Sequence, residues 1–298
     1  MTLTAVRLAA RRTDYPTLQA HPIAGSLGAE LTGLDLRRSL SDEELADLRQ
    51  AILDHHVVFL RDQPFAVAAH LELTERLGGI GDTPFVESLE GHPGLVRVVR
   101  EASEAGISNF GGGWHTDWSF QAEPPSLTLL HAVDVPPYGG DTLWANMALA
   151  YDRLSPGLRG VLDTLDAVHS ARRSYAPGTH IDRTANQRAM KITASADAYD
   201  EQVHPLVTTH PDSGRRVLAL NPTYVIRIDG WTAEESTPLL DQLQRHSVAE
   251  AATCRFRWTA DTLAIWDNRI TQHNALNDYD GFRREAYRTT VAGSAPRR

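Results

Sequence analysis

The tightest constraint on this chain is a short alternating stretch, Trp114-His-Thr-Asp-Trp-Ser-Phe120, far upstream of His273, which is itself followed by Arg284 and Arg288. Period-two alternation predicts a strand with His115 and Asp117 on one face and Thr116 on the other. Two histidines and one carboxylate on one face of a metal leave three coordination positions free. That is the layout non-haem Fe(II) needs to hold a chelating co-substrate and still bind O₂. A structural zinc site would be closed by four protein ligands, thiolates among them. Cys254 is the only cysteine, so no thiolate cluster can form. A fold that unites His115, Asp117 and His273 has to bring a late strand back beside an early one.

The short motif alone proves little, because His180–Asp182 and His210–Asp212 share its spacing and His70–Glu72 resembles it. Context separates them. His210-Pro-Asp-Ser-Gly214 carries turn chemistry between two apolar runs. His180 lies in a polar segment without strand periodicity, and His70 opens a helical pattern that turns Glu72 to solvent.

The chain has 298 residues and a net charge of −9, which argues against nucleic acid as a partner. Its apolar runs are too short to span a membrane. The basic N-terminus lacks an apolar signal-peptide core, so residues 1–20 read as a frayed arm. One cysteine excludes intrachain disulfides and fits a reducing cytoplasm. No repeat or linker divides the chain, so 1–298 is expected to form a single domain, and a homo-oligomer is expected.

Ile23 to Leu36 reads as two short strands around Gly25 and Gly28. Ser41-Asp-Glu-Glu44 and Thr232-Ala-Glu-Glu235 are capping boxes that open helices, and Ser155-Pro156 opens a third. Strand patterns recur at Val57–Leu60, Leu95–Val99, Ser126–Val133, Thr142–Asn146, Ala167–Ala171, His204–Thr209, Arg216–Leu220, Thr223–Ile228, Cys254–Trp258, Asp261–Trp266 and Glu285–Val291. Many short strands with helical inserts predict a mainly β fold with flanking helices, a jelly roll or double-stranded β-helix. In such a sheet Arg284 is expected on the strand beside the one carrying His273. It could anchor an acid bound to the metal, because a guanidinium binds carboxylate bidentately.

Trp114-His-Thr-Asp117, Gly139-Gly-Asp-Thr-Leu-Trp-Ala-Asn-Met147, His204-Pro-Leu-Val207, Thr209-His-Pro-Asp-Ser-Gly-Arg215 and Ile265-Trp-Asp-Asn-Arg-Ile-Thr-Gln-His273 stand in this order, followed by Arg284 and Arg288. Through them the chain resembles the TauD/TfdA family of Fe(II)/2-oxoglutarate-dependent dioxygenases, from about Ile23 to Gly293. The resemblance implies that His115, Asp117 and His273 bind iron, that Thr142 and Arg284 hold the distal carboxylate of 2-oxoglutarate, and that Arg288 faces an anionic group of the substrate. It implies O₂ as co-substrate, with release of succinate and CO₂. Some stretches, among them Gly25–Leu36 and Arg100–Gly106, look nearest to the aryloxyalkanoate dioxygenases.

One departure is Gly111, where taurine-type members carry asparagine. A second is the loop Thr83–Leu89, which is apolar here, so Phe85 and Val86 are expected to cover the substrate body. The expected function is hydroxylation of a small anionic organic compound of aryloxyalkanoate, sulfonate or alkyl sulfate type. The alternative is a biosynthetic tailoring oxygenase acting on an amino acid or a natural-product intermediate.

Overall fold

Strands that are apolar on both faces need cover on both sides, and this chain provides it by packing a large sheet against a smaller one, with two further small sheets and an outer layer of helices. The computed structural model describes residues 11–298. Along the chain run β1 (Gln19–Pro22), β2 (Ala29–Thr32), β3 (Val57–Leu60), β4 (Val96–Arg100), β5 (Leu127–Asp134), β6 (Thr142–Asn146), β7 (Asp166–His169) and β8 (Gln202–Pro205). They continue as β9 (Val207–Thr209), β10 (Arg216–Leu218), β11 (Val225–Ile228), β12 (Thr253–Phe256), β13 (Thr262–Asp267), β14 (Thr271–Ala275) and β15 (Arg284–Val291). The helices are α1 (Asp42–His55), α2 (Val67–Gly78), α3 (Met147–Asp152), α4 (Pro156–Leu162), α5 (Arg172–Tyr175), α6 (His180–Thr184) and α7 (Ala233–Ser247).

The large sheet has the order β1-β2-β3-β13-β5-β15-β4, and a smaller sheet, β12-β6-β14, packs against it. Alternation divides the large sheet's residues cleanly. Phe59, Leu130, Ala132, Ala264, Trp266 and Ala286 point between the sheets and meet Trp144, Cys254 and Phe256 of the small one. Phe59 stacks on Phe256 with ring centroids 3.8 Å apart. Val58, Leu60, Leu129, Leu263 and Ile265 point the other way, into Leu45, Leu48 and Ile52 of α1 and Leu73 and Leu77 of α2. This is the expected jelly roll with flanking helices.

Both capping boxes close as predicted, Ser41 with Glu44 and Thr232 with Glu235, and Ser155 caps α4. The first hairpin begins earlier than expected. β1 ends at Pro22, and the turn to β2 closes at Gly28, whose φ of +90° and contact with Ile23 leave no room for a side chain. The arm also needs correction. Tyr15, Leu18 and Ala20 are buried in the core, so the arm is anchored from Tyr15 onward rather than frayed, while residues 1–10 lie outside those described. Among the described residues no helix is long and apolar enough to cross a membrane.

Candidate active site

The small sheet's open edge positions the three candidate metal ligands. The His115 N–H donates to the His273 carbonyl (2.9 Å), and the His273 N–H donates to the His115 carbonyl (2.8 Å). This single bridge brings the two imidazole centroids to 4.1 Å. The expected strand over 114–120 stops there. The Thr116 hydroxyl donates to the Thr271 carbonyl (3.0 Å), taking up a backbone acceptor on that edge. The chain then turns, with Trp118 held at φ 41°. The turn, not strand alternation, swings Asp117 under His115.

Asp117 Oδ1 lies 3.7 Å from His115 Nε2 and 3.9 Å from His273 Nε2. One donor atom from each of the three residues lies within 4.8 Å of the others. Donors at right angles on a metal with bonds of about 2.0–2.2 Å stand about 3 Å apart, so small rotations complete the site. Neither Nε2 has a hydrogen-bond partner among the described residues, and Gly113 holds the His115 ring through Nδ1 (2.9 Å).

Electrostatics fit a cation. Burial, and then the neighbouring ring of His115, push His273 well below its usual range, and burial likewise lowers His115. Both are neutral imidazoles with lone pairs to give. Burial works to raise the Asp117 carboxyl, but Arg288, the two histidines and the Thr128 hydroxyl outweigh it and hold it below the ordinary carboxylate range. The donor set therefore suits Fe(II): two neutral nitrogens, one anionic oxygen and no thiolate.

The two arginines of β15 follow. Arg284 was expected beside the His273 strand, but β15 lies in the large sheet between β5 and β4, while β14 pairs with β6 in the small one. The chain changes sheets between the two strands, so Arg284 approaches from the opposite wall. Its guanidinium lies 5.6 Å from the Trp258 ring, and Nε and Nη2 are buried without hydrogen-bond partners. Trp258 Nε1 in turn donates to the Thr142 hydroxyl (3.0 Å). Thr142, Trp258 and Arg284 thus form one corner. Arg288 approaches Asp117 Oδ1 to 2.6 Å and lies 4.3 Å over the Trp118 ring. That ion pair lacks hydrogen-bond geometry, so neither Arg288 Nη has an acceptor.

Residues 19–290 match the family described as Taurine catabolism dioxygenase TauD, TfdA family. The chain is 37% identical to an alpha-ketoglutarate-dependent sulfate ester dioxygenase of Pseudomonas putida, over 94% of this chain and 91% of that protein. It is 31% identical to an alkylsulfatase of Acinetobacter baylyi, over 93% and 85% of the two chains. A 2,4-dichlorophenoxyacetate dioxygenase of Cupriavidus pinatubonensis matches at 28%, over 93% and 98%. Among solved structures, a taurine dioxygenase from Burkholderia xenovorans superposes with a TM-score of 0.78 at 35% identity, over 94% and 93%. The chain belongs to the TauD/TfdA family.

In this TauD/TfdA chain a cavity of about 370 Å³ opens beside His115 and Asp117. Phe110, Trp118, Tyr175, Ile192, Tyr224 and Arg188 line it. Phe85 and Val86 do not, which corrects their expected contact with substrate. Phe85 stacks behind Tyr175 (4.8 Å), and Val86 bridges to Ile192. They support the wall rather than form it. Gly111 sits at φ +77°, and a Cβ there would stand 3.5 Å from the His115 ring. A side chain at 111 would be strained by the positive φ, and its Cβ would rest in ordinary van der Waals contact with the candidate ligand His115. Sequence reading missed Tyr175, Ile192 and Tyr224. Tyr175 and Ile192 come from a segment of short helices and bridges with no motif, whose only signal was apolar residues in an otherwise polar stretch, whereas Tyr224 immediately precedes β11.

Proposed function

We propose that this chain oxidises the carbon next to the oxygen of an organic sulfate ester, using 2-oxoglutarate and O₂ at an Fe(II) centre held by His115, Asp117 and His273. The general class follows from the family: the chain is an Fe(II)- and 2-oxoglutarate-dependent dioxygenase acting on small anionic organic compounds. The sulfate ester is our own choice within that class. The observation that carries it is Arg288, a buried cation beside the metal site with no hydrogen-bond acceptor for either Nη. Its one charge partner is Asp117 Oδ1 (2.6 Å), an oxygen that a bound metal would claim, and a buried cation left without its partner is costly, so the loaded site would favour an anionic group beside Arg288. The aromatic and aliphatic walls suit an apolar body behind it. The higher identity to the sulfate ester dioxygenase than to the dichlorophenoxyacetate enzyme supports the same choice.

When bound, Fe(II) with 2-oxoglutarate and O₂ supplies a C–H oxidation coupled to decarboxylation. Arg284 and Thr142 would fix the distal carboxylate of 2-oxoglutarate, Arg288 would hold the sulfate, and Trp118, Tyr175 and Tyr224 would exclude water. One oxygen atom enters succinate and the other the substrate carbon. R–CH₂–OSO₃⁻, O₂ and 2-oxoglutarate thus give R–CHO, hydrogensulfate, succinate and CO₂. Succinate release on alkyl sulfates, sulfonates, phenoxyacetates, amino acids and neutral ethers tests the proposal. Alkyl sulfates should be turned over best, with matching sulfate and aldehyde, and neutral ethers should fail. Equal turnover of a neutral analogue, or a preference for amino acids, would instead favour the tailoring-oxygenase alternative.

A further inference from the structure

Asp117 has two carboxylate oxygens, and only one points between the histidines. Its Oδ2 accepts a hydrogen bond from the Thr128 hydroxyl of β5 (2.7 Å). The Thr128 Oγ1 accepts from Asn268 Nδ2 (2.8 Å), and the Asn268 Oδ1 accepts from Trp266 Nε1 (3.0 Å). Thr128, Asn268 and Trp266 are all buried, and Thr128 sits directly opposite Trp266 in the β5–β13 register.

Each bond in this chain can run in only one direction. An indole N–H donates and never accepts, so it fixes the Asn268 carbonyl towards Trp266 and the amide nitrogen towards Thr128. That NH₂ also only donates, so the Thr128 oxygen is the acceptor and its proton is left for Asp117. The intervening Asp267 points elsewhere and accepts from His210 (3.0 Å) and Arg269 (2.6 Å). The Trp266 ring also packs 4.8 Å from the ring of His273.

We infer that Trp266, Asn268 and Thr128 form a one-way hydrogen-bond relay that ties up Oδ2 and holds Asp117 as a one-oxygen ligand. A carboxylate free to turn could chelate the metal through both oxygens and occupy a position that 2-oxoglutarate or O₂ requires. The relay blocks this with a neutral donor whose own orientation is set two residues away. The three are positioning residues, and the inference rests on Asp117 being a metal ligand.

The test is anaerobic titration of the metal-free full chain with Fe(II), with and without 2-oxoglutarate, followed by the Fe(II)–2-oxoglutarate absorption band and by thermal unfolding. Thr128→Val keeps the shape and removes the donor. It should weaken Fe(II) binding by about 10–100-fold and shift the band, while Thr128→Ser restores most of both. Trp266→Phe, which keeps a ring but loses the N–H, should show a smaller change in the same direction, and it decides the matter if Thr128→Val does not fold. Wild-type affinity and band in a folded Thr128→Val, or in Trp266→Phe should the first not fold, would overturn the relay. Asp117→Ala serves as the reference. Loss there with none in Thr128→Val overturns the relay alone, whereas retained affinity in Asp117→Ala overturns the metal centre as well.

Discussion

The two walls of the pocket are built by different means. On the metal side, His273, Thr142, Arg284 and Arg288 stand on strands paired in the large sheet or in β12-β6-β14, and His115 is tied to that framework by a two-way backbone bridge. On the substrate side, Tyr175 and Ile192 come from the segment between β7 and β8, where α5 has four residues, α6 has five, two further short 3-10 turns follow, and a single isolated bridge ties Ile192 to Val86. The rigid half carries the chemistry that the family shares. In our proposal the irregular half sets the shape of what enters, since loops change without disturbing a paired ladder.

Substitutions in the two halves should therefore fail differently. Asp117→Ala removes the anionic ligand and should lower turnover on every substrate by on the order of 10³-fold or more. Comparable succinate release from the variant would break the contrast at once. Arg284→Ala should leave the fold intact and cost about 2–5 kcal/mol in 2-oxoglutarate affinity, the range for a desolvated ion pair losing one partner. An unchanged KM for 2-oxoglutarate would move the anchor to another residue. Ile192→Ala should cost about 1–3 kcal/mol in kcat/KM for the prime substrate, with the KM for 2-oxoglutarate unaffected. If both constants moved together, the division into two halves would be wrong.

A smaller effect compares the halves through their buried histidines. His70 of α2, bonded to Thr289 of β15, and His169 of β7, bonded to Ser119, are each pushed down to about 3 by burial. The folded state keeps them neutral, while the unfolded chain protonates them near pH 6.5. Stability is therefore fully present above that pH and falls as pH drops from about 6.5 towards 3. Each histidine contributes a slope of about 1.4 kcal/mol per pH unit in that window. Urea unfolding at pH 7 and pH 5 measures it, and His70→Gln and His169→Gln should each flatten the profile. A flat wild-type profile would contradict the assignment.

Legibility followed the same divide. Capping boxes, alternating strands and the His115–Asp117 pair were readable because short-range spacing carries them, and His273 was readable through the ordered motifs of the family resemblance. The jelly roll followed from the many short strands with helical inserts, and it explained how distant ligands could meet. What escaped depended on three-dimensional connection. Arg284 lies across the sandwich rather than next door because the chain changes sheets after β14. Trp118 breaks an alternation that its sequence displays in full, since a turn at φ 41° leaves no trace in residue type. Phe85 is apolar and close to the site, yet it stands one layer behind Tyr175. The pocket wall lies in a segment where apolar residues follow no period, so no face could be assigned.

The central claim is that His115, Asp117 and His273 form a single metal centre, and anaerobic Fe(II) titration of the metal-free protein tests it most directly. Wild type should bind one Fe(II) per chain, and alanine at any one of the three should abolish tight binding while the far-ultraviolet spectrum stays unchanged. Full stoichiometry and affinity in any of these variants would contradict the account.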